Sequence, residues 1–426
     1  MKQLTAVLLM LSLLCCVLAG CAAPRESSPS ESLTACTAPP SETTTEPDDH
    51  DAEPEFCDCG IWPWGMRVAM ITDYGDITDQ SFNQITYEAC LAFAEANDVD
   101  FEYYKPKTND TAARVAMTEL AIAEGYNVIV MPGYAFGATL VEVAPLYPEV
   151  KFVALDVSAS DILEVAVALA GEEYSWNPAD YNMADYLDMS NVYCAVYQEE
   201  LAGYMAGYAA VKLGYTKLGF LGGMAVPSVV RYGHGFIQGA DAAAGELGVE
   251  VSMNYAYGNH YYCCVDFTPA LEAWYEDGTE IIFACGGGIY NYVAKAAQKV
   301  GGKVIGVEVD QAPIIDGLYG EGITVTSAMK GLYPSAFDTL TEIFNGNWEA
   351  YYAGRIETLG IIDGSNPELN YVQIPMDSTH WNDTFTPEDY IALIERMYNG
   401  EIVVSNDIYQ EPIPQFITVN YLGNLK

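Results

Sequence analysis

The chain has 426 residues, 51% of them hydrophobic, and 59 Asp and Glu against 17 Lys and Arg give a formal net charge of −42. That length accommodates two domains of ordinary size with buried cores. Such an excess of carboxylate repels nucleic acid and anionic headgroups, which bind through Lys and Arg clusters, and it disfavours a phosphorylated ligand.

At the start, Lys2 precedes an apolar run from Leu4 to Ala19 that is too short for an integral span and reads as a secretory signal, residues 1–20. Its ending, Leu18-Ala19-Gly20-Cys21, resembles the lipobox of bacterial lipoproteins, with Cys21 as the acylated mature N-terminus. Residues 21–60, rich in Pro, Ser, Thr and Glu, read as a disordered tether. At roughly 40 residues its root-mean-square reach is on the order of 35 Å. Cysteines number 11 without a C-x-x-C pair, and His50, His234, His260 and His380 are far apart, so no zinc site is supported. Cys57-Asp-Cys59 adjoins the tether, whereas Cys90, Cys194 and Cys285 fall in apolar segments and read as small core residues.

The organising stretch is Met66 to Phe82. Val68 to Ile71 reads as a buried strand, Thr72 to Ser81 as a polar turn, and Phe82 to Ala96 as a helix capped by Asp79 or Ser81. In an open α/β sheet such a turn faces the ligand crevice. Further strands are expected at Asp100–Tyr104, Asn127–Met131, Lys151–Leu155 and Asn191–Tyr197, with helices at Thr111–Glu124 and Ala135–Leu146 between them. A second series follows: helix Glu199–Leu213, strand Lys217–Leu221, helix Tyr232–Leu247 and strand Glu250–Tyr255. Segments Thr268–Asp277, Ile281–Ala284, Tyr290–Val300, Lys303–Val307 and Ile323–Met329 continue it. This alternation predicts two successive parallel-sheet α/β lobes sharing a cleft.

Six or more short motifs in one order then identify a resemblance. They include Asp79-Gln-Ser-Phe-Asn-Gln84, Tyr147-Pro-Glu-Val-Lys-Phe-Val-Ala-Leu-Asp156, and Glu200-Leu-Ala-Gly-Tyr-Met-Ala-Gly207. Gly219-Phe-Leu-Gly-Gly-Met224, Gly235-Phe236, Gly306-Val-Glu-Val-Asp-Gln311, Thr326-Ser-Ala-Met-Lys330 and Asn399-Gly-Glu-Ile-Val-Val404 complete the set. From about Met66 to Asn406 the chain resembles the basic membrane protein (BMP) family of lipoproteins, whose best-defined members are purine nucleoside receptors of ABC transporters.

The resemblance implies a type I periplasmic-binding-protein fold, two Rossmann-like lobes on a three-strand hinge. Crossings are expected near Tyr197, Lys330 and Tyr352, making lobe one residues 66–197 plus 331–352 and lobe two 198–330 plus 353–426. It implies a base stacked between Phe82 and Phe236, with Asp73, Asn83 and Asp156 discriminating from lobe one. Glu308 or Asp310, the Gly286–Gly288 backbone at Gly287, and Lys330 would hold the ribose. A carboxylate accepts two hydroxyl protons at once, and Lys330 would keep it ionised. The implied role is a lipid-anchored, extracytoplasmic, monomeric receptor that passes a nucleoside to a permease and its ATPase. No catalysis, cofactor, metal or nucleic-acid partner is implied.

Read from the residues alone, Asp156 equally ends a strand, Phe236 equally fills a helix core, and Lys330 equally decorates a hinge. Three departures from the family stand out: Glu308 replaces its usual Asp, residues 160–188, with Tyr174, Trp176, Tyr181 and Tyr186, are longer, and the net charge is strongly acidic despite the family's name. That aromatic stretch suits either a rim over the cleft or a surface elaboration. The 32 tyrosines and the acidity also suit a flavin-like or cationic ligand, and a sensor that never transports remains a further reading. No G-x-S-x-G elbow or Cys–His pattern favours an enzyme.

Overall fold

The computed structural model describes residues 65–261 and 267–425. The expected signal, tether and Cys21, with Cys57 and Cys59, lie outside the described residues.

Apolar strands alternate with helices from the first described residues. They run β1 (Arg67–Ile71), α1 (Phe82–Asn97), β2 (Asp100–Tyr104), α2 (Thr111–Ala123), β3 (Val128–Pro132), α3 (Phe136–Val143), β4 (Lys151–Leu155), α4 (Ala159–Leu169) and β5 (Val192–Tyr197). The second series is α5 (Glu199–Lys212), β6 (Lys217–Gly222), α6 (Pro227–Leu247), β7 (Val251–Tyr257), α7 (Thr268–Glu276), β8 (Ile281–Cys285), α8 (Tyr290–Val300), β9 (Lys303–Glu308), α9 (Ala312–Tyr319) and β10 (Thr324–Lys330). The chain ends through α10 (Leu332–Phe344), α11 (Trp348–Tyr351), β11 (Arg355–Leu359), β12 (Val372–Gln373), α12 (Pro387–Tyr398) and β13 (Ile417–Asn424).

One sheet has the order β11-β5-β4-β3-β1-β2 and the other β12-β10-β9-β8-β6-β7-β13. Helices cover both faces, so the central strands read as unbroken apolar runs. Every named pairing is parallel except that of β12 with β10. Cys90, Cys194 and Cys285 are buried in these cores.

The chain leaves the first sheet after Tyr197 and returns after Lys330 into α10, whose Phe337 and Phe344 pack edge-on against Phe93 of α1 at 6.1 Å. It departs finally after Leu359. This corrects the third crossing expected near Tyr352: β11 pairs with β5 from Arg355↔Tyr193 to Leu359↔Tyr197 and belongs to lobe one. The crossings are stitched together, Gln198 N donating to Leu359 O at 2.9 Å and Gly331 N to Tyr371 O at 2.7 Å.

Lobe two is organised around the pair α5 and α6. A Cβ at Gly203 or Gly207 would overlap the carbonyl oxygen of Tyr232 or Phe236, and one at Gly235 or Gly239 that of Glu200 or Tyr204. Glycine on both helices lets the backbones touch, which accounts for the Gly-rich motifs there as packing.

Candidate functional site

The turn after β1 builds the lobe-one floor. Asp79 caps α1, accepting from the backbone N of Ser81 and Asn83 at 2.9 and 3.0 Å. Asp73 accepts from Tyr74 N and Gly75 N at 2.6 and 2.7 Å, and burial nevertheless pushes its carboxyl up. Asn83 Nδ2 donates to both acids, to Asp73 at 3.1 Å and Asp79 at 2.9 Å. Two carboxylates thus fix the amide's orientation, and its buried Oδ1, without a partner among the described residues, is left as an acceptor.

At the meeting of the lobes lies a buried chain of charges. Lys330 Nζ, at the end of β10, is 3.1 Å from Asp156 Oδ1 and 2.9 Å from Glu199 Oε1. Arg231 Nε donates to Glu199 Oε2 at 2.6 Å and lies 4.0 Å from Glu200 Oε2. Burial works against the Lys330 ammonium, but Asp156, Glu199 and Glu308 outweigh it and hold its pKa above the usual value. Burial likewise disfavours the Glu199 carboxylate, yet Arg231 and Lys330 hold it down at about 2. Glu200, desolvated and beside Glu199, is pushed up to about 7. Asp156, just past β4, stands at φ 65°, a left-handed conformation that a non-glycine residue rarely adopts. Beside it a small cavity is lined by Tyr134, Asp156, Ser158 and Asp161 from lobe one and Ser228 and Arg231 from lobe two.

The loops after β1 and β9 touch across the cleft. Ser81 Oγ donates to Glu308 Oε2, and Gln311 Nε2 donates to Gln80 O at 3.3 Å. Gln311 is itself fixed, accepting from Val307 N at 3.0 Å and donating its N–H to Ser327 Oγ at 3.1 Å. Burial raises Glu308 to about 7 even with Lys330 nearby. Of the two acids expected to serve the sugar, Glu308 reaches this junction. Asp310 instead accepts from Ala312 N at 3.1 Å at the start of α9, and the ion-pair partners of Lys330 are Asp156 and Glu199, with Glu308 acting on it through its field.

Three rings surround the Lys330 ammonium: Phe82 of lobe one at 5.3 Å, Tyr197 of the hinge at 5.2 Å and Tyr232 of lobe two at 5.7 Å. Phe82 thus lies beside the charged cluster between the lobes. Phe236 does not: at 0% exposure it packs against Phe283 at 5.3 Å and Phe220 at 6.5 Å, inside the lobe-two core. A side chain wedged between α6 and the sheet has no face for a ligand, and of the two rings it is Tyr232, one turn earlier, that approaches Lys330. Gly286 and Gly287 adopt φ 124° and 50°, and the Tyr261 ring lies so close to Gly286 that a Cβ there would come within 2.8 Å of it. Glu199, Arg231, Tyr232 and Tyr261 were not singled out as site residues from sequence, and Tyr197 was named only as a hinge crossing. The one signal was Glu199-Glu200 opening a helix otherwise almost devoid of charge.

The aromatic stretch packs Tyr174 with Leu163 and Val167 of α4, and its ring contacts run Trp176–Tyr174–Tyr181–Tyr186. Tyr409 Oη donates to Trp176 O at 2.7 Å, which ties this stretch to the segment after α12. Among the described residues no helix is long and apolar enough to cross a membrane.

Comparison with known proteins agrees with this architecture. The chain is 23% identical over 394 residues to an uncharacterized lipoprotein of Pyrococcus abyssi, covering 84% of this chain and 89% of the relative. It is 22% identical over 259 residues to the ABC transporter nucleoside-binding protein BmpA of Lactococcus lactis, covering 58% and 64%. Solved solute-binding proteins of ABC transporters share the fold: one from Conexibacter woesei at 21% identity and TM-score 0.58 over 80% of this chain and 99% of that one, and one from Aeropyrum pernix at 19% and 0.57 over 81% and 88%. The family model for PnrA-like ABC transporter substrate-binding proteins matches residues 66–365, and the chain belongs to this Bmp family.

Proposed function

We propose that this substrate-binding protein captures a nucleoside, a purine one by preference, between its lobes and delivers it to an ABC permease driven by its ATPase. The observation that carries the reading is the convergence on Lys330 of a lobe-one ring, Phe82, with buried carboxylates from both lobes, Asp156 and Glu199. A planar base stacks on a ring without needing a charge of its own, and ribose hydroxyls give their protons to carboxylates such as Asp156 and Glu308. Asn83 Oδ1 adds an acceptor for a base N–H. A cationic ligand suits the site less well, since the rings already face the Lys330 ammonium. The name of the Lactococcus relative points the same way. The reading includes a monomer tethered through Cys21 on the extracytoplasmic face of the membrane, performing no catalysis.

Calorimetry on the full chain with adenosine, guanosine, inosine, cytidine, uridine, riboflavin and spermidine tests this. One-to-one binding of purine nucleosides, weakened in Phe82→Ala by about 1–3 kcal/mol, is expected. Binding confined to riboflavin or spermidine would remove the nucleoside assignment.

A further inference from the structure

The correction at Phe236 leaves a question at Tyr232. Both residues belong to α6 and lie on one face, four residues apart. Both are buried, but Tyr232 lies about 6 Å nearer the helix N-terminus, beside Lys330 at the end of β10. Its ring meets Phe283 edge-on at 5.9 Å and lies 5.7 Å from Lys330 Nζ. The residue is 2% exposed, yet its hydroxyl, wholly buried, has no hydrogen-bond partner among the described residues. The charged and polar groups whose fields reach it are Glu199, Glu308, Asp156 and the Cys285 thiol, three of them members of the cleft cluster.

A buried hydroxyl without a partner is costly, whereas Phe at the same place would cost nothing. This hydroxyl is also held as a donor, because burial and the surrounding carboxylates oppose loss of its proton. A ligand oxygen placed in that setting is served on both sides: if it carries a proton, the proton goes to a carboxylate, and its lone pair accepts from the phenol.

We infer that Tyr232 is a specificity-determining residue of the cleft, its hydroxyl donating a hydrogen bond to one oxygen of the bound nucleoside, the 2′- or 3′-hydroxyl of the ribose or the carbonyl of the base. The inference rests on the nucleoside reading above and adds to it a polar contact from lobe two, opposite the Asn83 acceptor of lobe one. Stacking alone tolerates any planar base. A phenol aimed at one oxygen discriminates against analogues lacking that oxygen, because the donor is then left buried and unpaired.

The test compares the full chain with Tyr232→Phe by calorimetry, using inosine, 2′-deoxyinosine, 3′-deoxyinosine and the purine riboside that lacks the ring oxygen. Tyr232→Phe is expected to weaken inosine about tenfold, equivalent to about 1.4 kcal/mol. It should leave unchanged the affinity of the one analogue missing the oxygen that Tyr232 contacts. Ligand-free thermal melting should show the variant at least as stable as the parent. Equal affinity of parent and variant for inosine overturns the inference and leaves the nucleoside reading standing, as does an equal loss on all four compounds. A ligand-free melting temperature several degrees lower overturns it too, by revealing a structural partner for the hydroxyl. Failure of the parent chain to bind any of the four sinks both readings together.

Discussion

Two of the junctions between the lobes look alike on paper and differ in physics. At the cleft, Lys330 joins Asp156 and Glu199 at 3.1 and 2.9 Å, with its side chain 1% exposed. At the periphery, Tyr409 joins the Trp176 carbonyl at 2.7 Å, with the two residues 69% and 60% exposed. The shorter bond is the weaker one. Water competes for the peripheral groups whenever they part, whereas each buried charge left alone at the cleft loses solvation that nothing replaces. Burial, rather than distance, ranks the two junctions.

The largest test of that ranking is Lys330→Met. It preserves the volume of the side chain and removes the charge, leaving Asp156 without its cation and Glu199 with Arg231 alone. Breaking a buried pair from one side costs about 3–5 kcal/mol, to be read as a fall in stability on urea unfolding. Adding Asp156→Asn to the same chain should recover part of the loss. A fall below about 1 kcal/mol would mean that desolvation of the ammonium had cancelled its pairing, and the cleft would then rank no higher than the periphery.

A second test uses protons. Burial raises Glu308 and Glu200 to about 7 from 4.5, and Asp161 to about 6 from 3.8. Between those values the unfolded chain has released protons that the folded chain retains. The stability these groups contribute is therefore complete below their unfolded values and lost as pH rises through 6 to 7. Glu199, held at about 2, runs the other way: its contribution is present above 4.5 and lost as pH falls toward 2. The thermal midpoint should thus fall as pH is raised from about 5 to about 8. Glu308→Gln should remove part of that slope, worth about 1–2 kcal/mol after discounting for the half-buried position of the residue. An unchanged slope would show that the Ser81–Glu308 contact is solvated and belongs with the peripheral junction.

The same contrast explains what could be read from the residues. Buried parallel strands such as Val128–Pro132 are unbroken apolar runs, so the alternation and both lobes were legible. β11 was not, because Arg-Ile-Glu-Thr-Leu is a half-exposed edge strand whose place depends on pairing with β5, more than 150 residues earlier. Lys330 was reached only through the family resemblance, since the residues alone leave it a hinge lysine. Its partner Glu199 was hidden, since an acid in the first turn of a helix is ordinarily there for the helix dipole. Phe236 and Tyr232 share a helical face, and periodicity reports the face but not the depth along the axis. Depth decides which ring reaches the cleft.

The smallest expected effect is at the periphery, in Tyr409→Phe. The segment carrying Tyr409 is anchored to α6 without help from lobe one. Asp241 Oδ1 accepts from Gln415, Phe416 and Ile417 N at 2.9, 2.6 and 3.1 Å. Gln238 brackets Ser405, donating to its O at 3.0 Å and accepting from its N at 2.9 Å, and His234 Nδ1 lies 2.9 Å from Asp407 O. With those bonds in place, losing one exposed bond to Trp176 exchanges a carbonyl partner for water and should change the unfolding free energy by less than about 0.5 kcal/mol. If urea unfolding instead shows a loss comparable to that of Lys330→Met, the aromatic stretch and the tail act with the cleft as one cooperative closure. Exposure would then be the wrong measure of what holds the lobes together.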